Sequence, residues 1–198
     1  MANRRIIAIA GGSGSGKTTL AKHLVSAFGA DNSILLSLDD YYRDQAQLSF
    51  EDRLLINYDH PNSFEIDLLS EHLASLKENC ASQYPEYDFA LHTRKSATRS
   101  LFPKPYIVVE GILALHFEEI RNVATDTIFV DAPVELRFSR RMMRDTLERS
   151  RTPQSIEEQW KLAAQPMYCL FCEPSKKFAD LIIRGEGSYQ EVLREFVK

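Results

Sequence analysis

The sequence is short of thiols, of long apolar runs and of positive charge. Three cysteines in 198 residues cannot build a disulfide framework. Cys169 and Cys172 form a C-x-x-C, but Cys80 is the only further thiol and no histidine lies nearby downstream. Two partly buried helix thiols are therefore expected, with neither a metal nor a redox role. No apolar run approaches the ~20 residues of a membrane span. The opening Met1-Ala2-Asn3-Arg4-Arg5 and the apolar Ile6 to Ala10 run straight into glycines, so a cleaved signal peptide is not expected. The net charge of −4 gives no general attraction to nucleic acid or to anionic membranes. Internal repeats, linkers and low-complexity tracts are absent. The expectation is one reduced, cytoplasmic domain over residues 1–198, with 44% hydrophobic residues to fill a core.

Short apolar runs alternate with helical patterns. Arg5–Ala10, Ile34–Leu38, Tyr106–Glu110, Thr127–Val130 and Leu181–Ile183 read as buried strands. Lys17–Phe28 has helical spacing, and Gly29 stops it. Further helices are expected from Ser63 to Leu76 with Ser63 as N-cap, from Pro133 to about Glu148, from Ser155, and after Ser188. Such alternation implies an α/β fold whose parallel five-stranded sheet is covered on both faces by helices. Residues 82–104 break the pattern. They are rich in Tyr, Thr and Ser and end Pro103-Lys104-Pro105, which predicts a small β-hairpin insertion.

Gly11-Gly12-Ser13-Gly14-Ser15-Gly16-Lys17-Thr18 satisfies G-x-x-x-x-G-K-[ST] with a strand before and a helix after. Glycines let the backbone aim its N–H groups at phosphate oxygens, and the helix N-terminus adds positive potential. Lys17 is expected on the β- and γ-phosphates and the Thr18 hydroxyl on Mg²⁺, with Thr19 completing the loop. The reading is a nucleoside triphosphate site; the loop does not say what receives the phosphate. Glu110, at the carboxyl end of a buried strand, is placed to hold Mg²⁺ directly or through water, or else merely to cap the next stretch of chain.

Six arginines fall in residues 137–151 without a lysine. Arg137, Arg140, Arg141 and Arg144 share one helix face, and Arg149 and Arg151 continue beyond it. Forked guanidinium groups suit phosphate oxygens. Residues 137–160 therefore read as a lid that closes over phosphates and excludes water, with a solvated basic face as the bland alternative. Asp145, Glu135 and Glu148 are available to pair with some of these arginines.

Four fragments mix rings with polar groups: Asp39-Asp40-Tyr41-Tyr42, Asn57-Tyr58-Asp59-His60-Pro61, Tyr87 to Arg94, and Gln159. Rings can stack on a flat base while carboxylates accept from sugar hydroxyls. Asp59 as a turn residue and His92 as a structural histidine remain open at this point.

The order and spacing of "GGSGSGKTT", "DDYYRD", "NYDHPNSFE", "YDFALHTR", "VVEGIL", "RRMMRDTLERSR" and "EPSKKFADLII" resemble the uridine (uridine–cytidine) kinase family from about Ile6 to Gly185. The resemblance implies a P-loop NTPase fold of the nucleoside-monophosphate-kinase type. It implies transfer of the γ-phosphoryl group of ATP or GTP, with Mg²⁺, to the 5′-hydroxyl of uridine or cytidine. Carried onto this chain, it makes Asp39 the general base, also reaching the metal through water. Tyr42 and Tyr58 lie beside the nucleoside, Asp59 takes ribose hydroxyls, and Tyr87 and His92 sit at the pyrimidine. Arg141, Arg144, Arg149 and Arg151 become lid and substrate arginines, and Gln159 a substrate contact. It also implies a homo-oligomer, a tetramer, with feedback by pyrimidine triphosphates.

The chain departs from the family pattern in places. Ser150-Arg151-Thr152 replaces Gly-Arg-Asp, Leu38 replaces a glutamine, Glu65 an aspartate, Leu91 a small hydroxyl residue, and Tyr58 a phenylalanine. Several are expected near the acceptor. Asp40 is expected to cap a helix or lie in solvent, and Tyr41 to be structural. Two other readings are kept: a related kinase acting on a sugar phosphate, which wants an extra basic pocket that the sequence does not show outside the lid, though Arg94, Lys95 and Arg99 leave the option open, and a nucleotide-dependent switch.

Overall fold

A computed structural model describes residues 4–149 and 151–196. Met1 to Asn3 of the signal-peptide reading, and Ser150 of the hinge departure, lie outside the described residues.

Strand β1 (Arg5–Ala10) runs into the glycine loop and helix α1 (Lys17–Phe28). Gly29 ends α1 with a φ of +87°, which an L side chain adopts only with strain. Strand β2 (Ser33–Ser37) leads into a 3₁₀ turn, Leu38–Tyr41, so the strand stops one residue before the expected Leu38. After α2 (Phe50–Leu54) and the 3₁₀ turn Pro61–Ser63 comes α3 (Ile66–Lys77). Ser63 is not its N-cap. Its hydroxyl donates to the Asn57 carbonyl, and Glu65 holds the cap position.

The insertion holds two short antiparallel pairs, β3 (Ser82–Tyr84) with β6 (Arg99–Leu101), and β4 (Tyr87–Asp88) with β5 (Thr93–Arg94). Then come β7 (Tyr106–Glu110), α4 (Glu118–Val123), β8 (Asp126–Asp131) and α5 (Val134–Glu148). Thr152 accepts from the Ser155 amide and caps α6 (Pro153–Gln159). The chain stays helical through a π turn (Trp160–Ala164), α7 (Gln165–Met167) and a second π turn (Tyr168–Cys172). Strand β9 (Leu181–Arg184) and α8 (Gln190–Phe196) close the chain, with the Ser188 hydroxyl accepting from Gln190.

The main sheet is β2-β7-β1-β8-β9, parallel throughout. Its strands are apolar on both faces because both are covered. Along β1, Ile6, Ala8 and Ala10 pack with Leu69, Leu73, Leu76 and Ile120 of α3 and α4. Ile7 and Ile9 pack with Leu20, Leu24 and Phe196 of α1 and α8. This layering sends every strand's carboxyl end to one rim, where α/β sheets bind ligands. No described helix is long and apolar enough to cross a membrane.

Candidate active site

The glycine loop is shaped by contacts that side chains would block. Gly14 has a φ of +79°, and a Cβ there would strike the Arg137 carbonyl. Gly16 has a φ of +103° and starts α1 without a side-chain cap. The unpaired N–H groups of the first turn are therefore open to an anion. Lys17, the first residue of α1, is buried at the base of the loop.

Glu110 ends β7, in register with Ser37 on one side and Ile9 on the other. The Thr18 hydroxyl donates to its Oε2 at 3.2 Å and the Ser37 hydroxyl to its Oε1 at 3.2 Å. Burial pushes its carboxyl above the usual range, against the pull of Lys17. A buried, under-compensated carboxylate beside a threonine hydroxyl is a hard-oxygen donor set that fits Mg²⁺. Among the described residues no three His, Cys, Asp or Glu side chains form a metal cluster. Ser37 was missed from sequence; its only signal is its place at a strand end facing the loop.

Asp39 lies on the turn after β2, where its Oδ1 accepts from the Tyr42 hydroxyl at 3.4 Å. Asp40 caps no helix and is half-buried. It accepts from the Tyr84 hydroxyl and, at 3.0 Å, from the Tyr87 amide. Burial holds its carboxyl above the usual range despite these two donors. Asp40 therefore bolts the insertion to the turn that carries Asp39. Tyr41 is buried, with its hydroxyl 2.9 Å from His72 Nδ1.

The structure gathers the residues expected at the acceptor into one cavity. Tyr42, Tyr58, Asp59, Tyr87, His92 and Gln159 line it, with Arg141, Arg144, Arg149 and Arg151. Ring centroids of Tyr58 and Tyr87 lie 5.2 and 5.1 Å from that of Tyr42. Burial raises the Tyr58 and Tyr87 phenols above their ordinary value, and their ring centroids lie 6.2 Å apart in the cavity wall. Burial raises the Asp59 carboxyl, offset first by Arg141. Burial and then Arg151 and Arg149 lower the His92 imidazole, keeping it neutral. His92 also holds a φ of +51°, strain of a kind that clusters at functional sites.

The departures from the family pattern sort differently from expectation. Leu38 is buried against Gly111, away from the cavity. Leu91 is 55% exposed, and its carbonyl accepts from Arg53 at 2.9 Å. Glu65 pairs with Arg94 at 2.6 Å and ties the insertion to the start of α3. Lys95 and Arg99 both pair with Glu86, at 3.5 and 3.4 Å. Arg94, Lys95 and Arg99 thus each have a carboxylate partner.

The arginines do not act as one stripe. Arg137 is buried behind the glycine loop, 3.8 Å above the Tyr168 ring, and donates to the Ala132 carbonyl and Gln165. Arg140 donates to the Gly185 carbonyl at 2.8 Å. The other four gather around Asp145, and Gln159 Oε1 accepts from both Arg141, at 2.7 Å, and Arg151. The cysteine pair splits: Cys169 is exposed, while Cys172 is buried with its thiol pushed up to about 12 by burial.

A second, open cavity runs along the glycine loop past Thr18, Thr19, Ser37, Glu110 and Arg140. Lys17, Asp39, Phe89, Arg144 and Arg149 line both cavities. One cation, one carboxylate and two guanidinium groups thus stand where the two spaces meet. Phe89, beneath Arg149 at 4.7 Å, was not singled out from sequence.

The family described as Phosphoribulokinase / Uridine kinase matches residues 6–190. A uridine kinase of Halalkalibacterium halodurans is 47% identical over 182 residues, covering 92% of this chain and 86% of that one. A uridine kinase of Staphylococcus haemolyticus is 46% identical over 188 residues, covering 95% and 91%. The structure of phosphoribulokinase from Rhodobacter spheroides superposes with a TM-score of 0.66 at 14% identity, over 93% of this chain and 71% of that one, a likeness of fold alone. With a glycine loop, a rim carboxylate and an arginine cluster at the carboxyl ends of its parallel strands, the chain belongs to the phosphoribulokinase/uridine kinase family.

Proposed function

We propose that this protein is a nucleoside kinase that transfers the γ-phosphoryl group of ATP or GTP to the 5′-hydroxyl of uridine or cytidine. The observation that carries the reading is the junction of the two cavities, lined by Lys17, Asp39, Arg144 and Arg149. A phosphoryl group passing between donor and acceptor crosses that junction. The triphosphate lies on the loop from Gly11 to Thr19, drawn by backbone N–H groups and Lys17. The nucleoside lies in the aromatic cavity. Its base lies among Tyr42, Tyr58, Tyr87 and His92, and its ribose hydroxyls donate to Asp59. A neutral His92 leaves one ring nitrogen to donate and one to accept, which suits a pyrimidine edge.

Asp39 accepts the proton of the 5′-hydroxyl as its oxygen attacks the γ-phosphorus. Lys17, Arg144 and Arg149 hold the charge spread over the transferring oxygens. Thr18 and Glu110 would hold Mg²⁺, with Asp39 reaching it through water; bound there, the ion would neutralise the triphosphate. The insertion at 82–104 supplies the acceptor wall and residues 137–160 act as the lid. Carboxylate pairing of Arg94, Lys95 and Arg99 weighs against a sugar-phosphate acceptor. A homo-oligomer working in the cytoplasm belongs to the same proposal.

The test is ADP release from Mg-ATP with a panel of nucleosides and sugar phosphates. Stimulation by uridine and cytidine alone is expected; stimulation by a sugar phosphate instead refutes the acceptor assignment. Asp39→Asn keeps nucleotide binding and loses turnover by about 10²-fold, the scale of general-base catalysis. Near-normal turnover in that variant removes Asp39 as the base.

A further inference from the structure

Asp145 is fully buried, at 0% exposure, on the inner side of α5. Four guanidinium groups surround its carboxylate. Arg144 donates to it from Nε at 2.8 Å and also approaches through Nη2 at 2.8 Å. Arg141 stands at 3.5 Å, Arg149 at 3.7 Å and Arg151 at 3.9 Å. Asp39 and Asp59 line the same cavity, but neither appears as a hydrogen-bond partner of the four arginines among the described residues. Around Asp145 itself, positive charge is in large excess.

Two details separate this cluster from an ordinary buried ion pair. First, the pairing is incomplete. Asp145 Oδ2 and Arg141 Nε are both buried without a hydrogen-bond partner, although they face each other. A pair built only for stability closes that gap, since an unsatisfied buried charge is expensive. Second, Asp145 also fixes the chain. Its carbonyl accepts from the Arg149 amide at 3.3 Å and the Arg151 amide at 3.1 Å. The end of α5 is thus held by backbone bonds that bring Arg149 and Arg151 back beside the carboxylate. Four like charges at this spacing repel one another, and burial and neighbouring arginines already lower the affinity of Arg149 and Arg151 for their protons.

We infer that Asp145 is a positioning residue, an internal anion that keeps Arg141, Arg144, Arg149 and Arg151 gathered and aimed at the cavity junction before phosphate arrives. The inference rests on the nucleoside-kinase reading for what crosses that junction. The carboxylate binds one arginine tightly and three loosely, so the loose groups can shift onto phosphoryl oxygens without the cluster having to assemble from scattered side chains. That ordering is then made during folding and not during turnover.

The experiment compares Asp145→Asn and Asp145→Ala with the wild type, each in the full chain. Asp145→Asn keeps the shape and removes the charge. We expect a folded protein whose kcat falls at least about tenfold, with the KM for ATP moved less than about threefold, because the loop still binds the triphosphate. In Asp145→Ala, added formate restores part of the lost kcat, and formamide, of the same shape but neutral, does not. Independently of activity, the Arg144 Nε–H resonance is protected from solvent exchange in the wild type and loses that protection in Asp145→Asn. A kcat within about twofold of wild type overturns the inference. So does rescue by formamide as well as formate, or an Asp145→Asn chain that does not fold, since each makes Asp145 an element of packing. A wild type that is inactive with every pyrimidine nucleoside instead refutes the kinase reading. The Asp145 inference is then decided by the Arg144 resonance alone.

Discussion

Replacing Tyr84 by phenylalanine isolates the bolt between the insertion and the turn that carries Asp39. Tyr84 is buried, its ring centroid 6.0 Å from that of Tyr41, and its hydroxyl donates to Asp40. Phenylalanine keeps the ring packing and removes one hydrogen bond to a half-buried carboxylate, a loss of about 1.5–3 kcal/mol. The Tyr87 amide still reaches Asp40 at 3.0 Å, and Arg94–Glu65 and Thr93–Asp44 still tie the far side of the insertion. The loss therefore falls on the docking of residues 82–104 and not on the sheet. At about 1.4 kcal/mol per tenfold, docked and undocked forms re-equilibrate by roughly 10- to 150-fold. Hydrogen exchange reads this directly. Protection of the Tyr87, Thr93 and Lys95 amides should fall by that factor, while β1 and β7 stay as protected as in the wild type. The KM for nucleoside should rise and the KM for ATP should not. Protection unchanged within about threefold, or lost equally across β1, refutes the assignment of Asp40 as the bolt.

Glu110→Gln should raise the melting temperature of the ligand-free protein at neutral pH while removing its stabilisation by MgCl₂ and most of its turnover. The sign follows from linkage: the folded carboxyl is raised above its ordinary value of 4.5. The contribution of Glu110 is thus fully present below about that value and is lost as pH rises through the folded one. The variant's advantage should therefore vanish when both proteins are melted at acid pH, and an advantage that persists there refutes the burial argument. Gly14→Ala, forced into φ +79° against the Arg137 carbonyl, should cost about 1–3 kcal/mol of stability. It should also abolish the thermal shift given by nucleotide, and a normal shift would mean the loop tolerates a Cβ.

The parallel sheet, the glycine loop and the end of α1 at Gly29 were legible because local rules carry them. β1 is apolar at every residue from Ile6, and α1 shows a 3.6-residue stripe. A phosphate loop needs glycine at fixed offsets whatever surrounds it. The resemblance carried the acceptor residues one at a time, and the structure brings them to one cavity. What failed was whatever depends on neighbours far away in the chain. Asp40 reads as a capping acid because nothing local betrays that Tyr84 and Tyr87, more than forty positions on, fold over it. The arginines of α5 read as one stripe because helical spacing fixes angle and not partner. Packing against Tyr168, Gly185 and Asp145 then divides them three ways. Leu38 and Leu91 looked like acceptor residues by adjacency, but a 3₁₀ turn and a left-handed residue aim them elsewhere. Sequence alone thus determined the fold and the phosphate site, since backbone geometry and periodicity are local. The partner of each charged side chain was decided only by tertiary structure, because burial and electrostatic pairing depend on distances that the order of residues does not contain.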